Sequence, residues 1–229
     1  MKALLLLFVL MNHTGLFAQN KTSVTVKAGS KISDVFTAAD IFYYPQFTKG
    51  KVYFKDGTTS SAKLNYSLLV DQIQFIDPKG DTLSLADQKT IQVISINQDS
   101  FYYDKGYIRL VAGNSLVKLA DKKIWEVVET QRMGAFNTPT STASINSQAF
   151  YNVNGTTYNL VLNEELVLRK VELYYFLDSN NRMIPAGKKN LLKLFPKDQR
   201  RIETYLKDNA VDFTNKNDLE KLVAFLGLL

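Results

Sequence analysis

The chain has 229 residues, 45% apolar and 22% charged, a globular composition that excludes wholesale disorder. Its formal net charge of +6 is spread along the chain rather than massed in one block, which argues against a nucleic-acid partner. With no cysteine and a single histidine, His13, it lacks the residues for disulfides, CxxC redox motifs, c-type haem attachment and Cys-His dyads.

Residues 1–19 read as a cleavable secretory signal peptide. Lys2 supplies a short positive start, Ala3 to Met11 form a nine-residue apolar run, and Ala18 offers a small residue at the cleavage edge. A membrane-spanning helix needs about 20 consecutive apolar residues, so this segment predicts release and no stable membrane anchor. A lipid anchor needs a cysteine that the chain does not have. The expectation is a secreted or periplasmic protein cut near Ala18. Cleavage would remove His13 and with it any Ser-His-Asp triad or His-based zinc site.

Ser23 to Val26 carry β-formers, and Ala28-Gly29-Ser30 break the run. Ser30 or Ser33 then predicts the cap of a short helix through Ala39, with Pro45 stopping whatever continues through Phe42. From Gly50 to Glu129 short β-rich runs alternate with turn signals. Val52-Tyr53-Phe54 leads into Asp56-Gly57, the strongest hairpin signal in the chain, and Ala62, Leu64 and Tyr66 alternate with polar partners. Further strands are expected around Ile73, Leu83, Ile91 to Ile96, Phe101 to Tyr103, Tyr107 to Val111, Leu116 to Leu119 and Ile124 to Val128. The Ser/Thr/Asn-rich residues 132–149 read as a loop or linker.

Phe150 to Leu162 and Leu166 to Leu177 predict longer strands, with Asn154-Gly155 and Asp178 to Asn181 as turns and, in the second, a bulge near Arg169 or Lys170 where the alternation changes phase. After residue 188 the apolar period lengthens to about 3.6, with Leu191, Leu192 and Leu194, then Ile202, Tyr205 and Leu206. Asn215 reads as an N-cap, Leu219, Leu222, Val223 and Leu226 form one apolar face, and Gly227 stops the helix. The fold class expected is mainly β (α+β): an antiparallel β-meander forming a sandwich or open barrel, with two or three short C-terminal helices. The expected divisions are 20–131 for the meander, 132–149 for the linker, 150–187 for a hairpin region and 188–229 for a helical appendix.

Two stretches, GKVYFKDGTTSSAKLNYSLLVDQIQF at Gly50 to Phe75 and KKNLLKLFPKDQRRIETYLKDNAVDFTNKNDLEKLVAFL at Lys188 to Leu226, resemble uncharacterised secreted proteins of Bacteroidota. In these a signal peptide, a β-meander and a Lys-rich helical tail follow in that order. The resemblance implies a cell-envelope setting and carries no activity or residue roles.

Three aromatic doublets, Tyr43-Tyr44, Tyr102-Tyr103 and Tyr174-Tyr175, are candidate stacking surfaces for sugars or peptides, with burial under a second layer as the alternative. Lys188, Lys189, Arg200 and Arg201, with Lys193 and Lys197, concentrate positive charge on the C-terminal helices, where they would meet phosphate groups or serve as a solvated face. The carboxylates Asp71, Asp77, Asp81, Glu126, Glu129, Glu164 and Glu165 are the candidates for acid/base hydrolysis, none singled out by spacing. Asp178 to Arg182 begins like an EF-hand loop, but Arg182 and Lys189 stand where ligands belong, so a hairpin turn is expected. No P-loop or GxGxxG is present, and no cofactor is implied. The functional expectation is a non-catalytic cell-envelope protein that binds another protein or an envelope polymer. The alternative is a carboxylate-dependent glycan hydrolase.

Overall fold

The computed structural model describes residues 22–133, 139–142, 150–153, 156–159 and 165–229, with side chains described for all but 33, 131–133, 139–142, 150–153 and 156–159. The expected signal peptide and cleavage point at Ala18 lie outside the described residues, as do Glu164 and the expected turn at Asn154-Gly155.

The architecture is an open antiparallel sheet with three C-terminal helices, as its patterning predicts. Strand β1 (Ser23–Val26) leads to a single 3-10 turn at Ile32–Asp34 and then the one-turn helix α1 (Ala38–Ile41). The short helix expected through Ala39 is thus split in two. Asp40 folds back to accept hydrogen bonds from the Thr37 amide at 3.0 Å and hydroxyl at 2.8 Å, which starts α1 at Thr37 instead of at Ser30 or Ser33.

The first meander is β2 (Thr48–Phe54), β3 (Thr59–Ser67), β4 (Gln72–Ile76) and β5 (Thr82–Ser84). The Asp56-Gly57 hairpin forms as expected, with Gly57 at φ +87°, a conformation that glycine adopts without a Cβ clash. The second meander is β6 (Ile91–Ile96), β7 (Asp99–Tyr103), β8 (Tyr107–Gly113) and β9 (Lys118–Met133). Pairing of β2 with β6 joins the two.

Strand β9 corrects the expectation of two strands at Leu116 to Leu119 and Ile124 to Val128. The segment is one 16-residue strand, because Asp121 and Lys122 each find an ionic partner and so continue the ladder. Strand β9 also enters the expected linker, where β10 (Pro139–Thr142) pairs back onto it. A small hairpin, β11 (Phe150–Val153) with β12 (Thr156–Asn159), forms a separate two-stranded sheet within the run expected from Phe150 to Leu162.

Strand β13 (Glu165–Leu177) inserts between β1 and β9 and carries β14 (Met183–Pro185) beyond it. Strands β13 and β14 of the later hairpin region therefore share the meander's sheet, whereas β11 and β12 form their own. The register between β13 and β9 shifts between Val167 and Leu168, and the extra residue is Val128 of β9, so the bulge lies in the partner strand and not near Arg169 or Lys170 of β13.

The sheet curls around one apolar cluster drawn from both ends of its strand order, including Val26, Val52, Leu64, Ile73, Ile94, Phe101, Trp125 and Leu168. Trp125 fastens the curl: its amide bonds the Leu68 carbonyl at 2.9 Å, and its indole Nε1 donates to the Asp40 carbonyl at 2.8 Å.

A second cluster forms where α2 (Lys188–Leu194), α3 (Gln199–Asp208) and α4 (Lys216–Leu226) dock on Val117, Leu119 and Phe176. Asn215 caps α4 as expected, accepting from the Asn217 amide at 2.9 Å. Asn114 pins the same helix to the sheet, donating to the Val223 carbonyl at 2.7 Å.

Candidate functional site

The alternation of β9 sets up the site. Leu119, Asp121, Lys123 and Trp125 share one face, so the strand passes from the helix-covered cluster at Leu119 to the main core at Trp125. Two charged residues stand in between. Register places Arg109 of β8 directly opposite Asp121, Phe101 of β7 opposite Arg109, and Tyr174 of β13 opposite Asp121. One row further on, Lys123 faces Glu172. Residues directly opposite in an antiparallel pair project to the same side, so the polar groups line up across β8, β9 and β13, and Asp99, two residues before Phe101, extends the patch to β7.

Arg109 is its hub. Nη2 and Nε hold both oxygens of Asp121, the latter at 3.0 Å, and Nη1 holds Asp99 at 3.0 Å. Asp121 is 1% exposed and Asp99 25%, so the guanidinium bridges a buried carboxylate to one at the surface. Burial pushes the Asp121 carboxyl up and the Arg109 guanidinium pulls against it. Burial likewise opposes the charge on Arg109, but its bonds to Asp121 and Asp99 outweigh this and hold it protonated well above the usual arginine range.

The loop after α1 closes one side. The Tyr44 hydroxyl donates to Asp99 at 2.6 Å, and burial together with that bond raises it far above its ordinary value. The Tyr43 ring stands edge-on to Tyr44, with centroids 4.9 Å apart. It lies under the Arg109 guanidinium at 5.1 Å and the Lys123 ammonium at 5.8 Å. Burial lifts the Tyr43 hydroxyl to about 12 against the opposing charge of Arg109. On the open side Lys123 pairs with Glu172 at 3.4 Å, and the Tyr174 hydroxyl donates to Glu172 at 2.9 Å. Lys123 and Tyr174 are part-buried and Glu172 is exposed, so these three present the patch to solvent.

The structure therefore gathers Tyr43, Tyr44 and Tyr174 at one place and separates the other predicted aromatics from it. Tyr102 and Tyr175 join a small cluster around Ile108, Ala120 and Leu177, and Tyr103 packs on Tyr107 in the main core. Of the basic residues, Lys188 pairs with Glu203 at 3.2 Å and Lys189 is exposed. Arg200 and Arg201 border an open depression of about 440 Å³ beside the stacked rings of Tyr205 and Phe225.

Two of the candidate carboxylates, Asp71 and Asp77, are committed elsewhere. Asp71 takes the Lys122 ammonium at 2.5 Å and the Tyr66 hydroxyl at 2.8 Å. Asp77 accepts from the amides of Lys79 and Asp81 in its own turn. Asp178 likewise accepts from Asn180 and Arg182 in the hairpin turn expected there.

Arg109, Asp99, Asp121, Lys123 and Glu172 were not among the sequence candidates. The available signal was parity: Asp121 and Lys123 occupy the positions between Leu119 and Trp125 that the alternation reserves for the buried face.

Fold and site together define a class: a curled, open antiparallel sheet capped at one end by three helices, with a half-buried arginine–tyrosine patch at the seam between two apolar clusters. Within that class no family model matches the chain, and neither a curated protein nor a solved structure matches it.

Proposed function

We propose that the chain is an exported, non-catalytic protein of the cell envelope that binds another protein or an envelope polymer through the Arg109 patch. The observation that carries this reading is the division of labour in the patch. Asp99 and Asp121 are both bound to Arg109, which leaves neither free to act as a general acid or base, while Tyr174, Lys123 and Glu172 offer a ring, a cation and an anion at the surface. Such a mixture of aromatic and charged groups, held in place from behind, suits reversible recognition. The apolar run at Ala3 to Met11 and the resemblance to secreted proteins of Bacteroidota support the envelope part of the reading.

The test offers isolated envelope polymers and envelope proteins to immobilised protein lacking residues 1–18, in wild-type, Lys123→Ala and Tyr174→Ala forms. The expected result is retention of one ligand class by the wild type and its loss in both variants. Turnover of a glycan panel by the wild type, or retention unchanged in both variants, overturns the reading.

A further inference from the structure

Strand β3 is paired on both sides for only part of its length. Strand β2 covers Thr59 to Leu64, whereas β4 covers Leu64 to Ser67 and then leaves at Ile76 into the turn Asp77 to Gly80. Ser60 to Lys63 are thus left with a free edge on the β4 side, and among the described residues no backbone hydrogen bond reaches it. A cavity of about 570 Å³ lies there, lined by all of Ser60 to Leu64 and by Val52, Phe54, Phe75 and Leu85. Lining by consecutive residues means that the cavity runs along the strand's edge, since alternate side chains leave a strand on opposite faces.

Natural sheets cover such edges or blunt them with charge. Here the exposed charge on the β2–β3 pair is of one sign, and Asp77, which also lines the cavity, is held by the amides of its own turn. Lys63 lies directly opposite Lys49 in the register, with Lys51 two residues along on the same face. All three are exposed, and among the described residues none has an ion pair, whereas Lys122, Lys123, Lys188 and Lys216 each have one. Like charges directly opposite destabilise a strand pair.

We propose that this edge is a second binding site, one that takes an extended peptide segment of a partner protein as an added strand. Each element of the site specifies one property of the occupant. The free amides and carbonyls require an unpaired extended backbone, the cavity requires apolar side chains at alternate positions, and the lysines require acidic residues between them. Ser60 to Lys63 span about 14 Å, room for a segment of about four paired residues. The site is distinct from the Arg109 patch.

The test measures fluorescence anisotropy of a labelled hexapeptide of alternating glutamate and valine with the protein lacking residues 1–18. Two analogues accompany it, one N-methylated on the valines and one on the glutamates. An added strand points alternate amides at the edge, so one analogue loses at least about tenfold in affinity while the other binds like the parent. Ala62→Glu, which puts a charge in the cavity, and the exposed Lys63→Glu each weaken binding about tenfold, and Tyr174→Ala leaves it unchanged. Absence of peptide binding, equal binding of all three peptides, or a wild-type dimer that Lys63→Glu dissociates overturns the proposal, the last by making a second copy the occupant.

Discussion

Replacing Arg109 by methionine tests whether the patch is held from behind as described. The substitution keeps the length of the apolar stem and removes the guanidinium from two carboxylates of unequal burial. Asp121, 1% exposed, loses its bidentate partner and is left as an uncompensated charge in the sheet. Breaking a buried pair from one side costs about 3–5 kcal/mol. Asp99, 25% exposed and still bonded to the Tyr44 hydroxyl, adds about 0–1 kcal/mol. With a urea slope of about 2 kcal/mol per molar, the unfolding midpoint at pH 7 falls by about 2 M.

The double variant Arg109→Met, Asp121→Leu removes the stranded charge together with its partner and recovers most of the loss. The deficit of the single variant also has a defined pH dependence. Without the guanidinium only the weaker attraction of Lys123 opposes the burial that raises the Asp121 carboxyl, so the folded state holds that proton more tightly than the unfolded state. The deficit is smallest below the ordinary value of 3.8, where Asp121 is protonated in both states, and grows as pH rises through the raised folded value. Urea titrations followed by far-UV circular dichroism at several pH values measure all three outcomes. A deficit under about 1 kcal/mol at pH 7, or a double variant no more stable than the single one, refutes the reasoning.

Trp125→Leu removes the indole bond to the Asp40 carbonyl and the edge-on contact with Phe36 at 5.0 Å, and costs about 2–4 kcal/mol; circular dichroism must follow it, since Trp125 is the only tryptophan. Asp71→Asn changes the acid limb of the stability curve. Burial raises the Asp71 carboxyl against the opposing Lys122, so its contribution is fully present below 3.8 and lost as pH rises through the folded value. Wild type minus variant stability therefore falls with pH across that window, and a flat or rising difference contradicts the assignment.

Much of the fold is legible because its turns are chemically explicit. Asp56-Gly57 and Asp77 to Asp81 each mark a reversal, and the change of period after residue 188 marks the helices. Failures occur where tertiary partners override local signals. Asp121 and Lys122 look like an interruption between two strands, and only Arg109 and Asp71, 12 and 51 positions earlier, make them strand interior. Thr37 takes over as helix start because Asp40 folds back onto it, which the serines upstream do not reveal. Doublet spacing identified Tyr43, Tyr44 and Tyr174 but could not group them, since the grouping depends on strand order, with β13 beside β9 rather than beside β12.

The location of the patch is itself an argument about its role. On β9, Leu119 and Trp125 belong to two apolar clusters on one face, separated only by Asp121 and Lys123. Apolar residues at 109 and 121 would fuse these clusters, and such replacements of a buried ion pair are often neutral or stabilising. A chain shaped by stability alone has no need of a guanidinium there. The geometry instead fixes Tyr43 beneath two cations and orients Glu172 and Tyr174 at the opening, an arrangement that a continuous apolar face would bury or release. The ionic network thus ties the position of the exposed groups to the register of β8, β9 and β13. Loosening that register through Arg109 should weaken ligand retention at the patch before it disturbs the free edge of β3, four strands away in the sheet order.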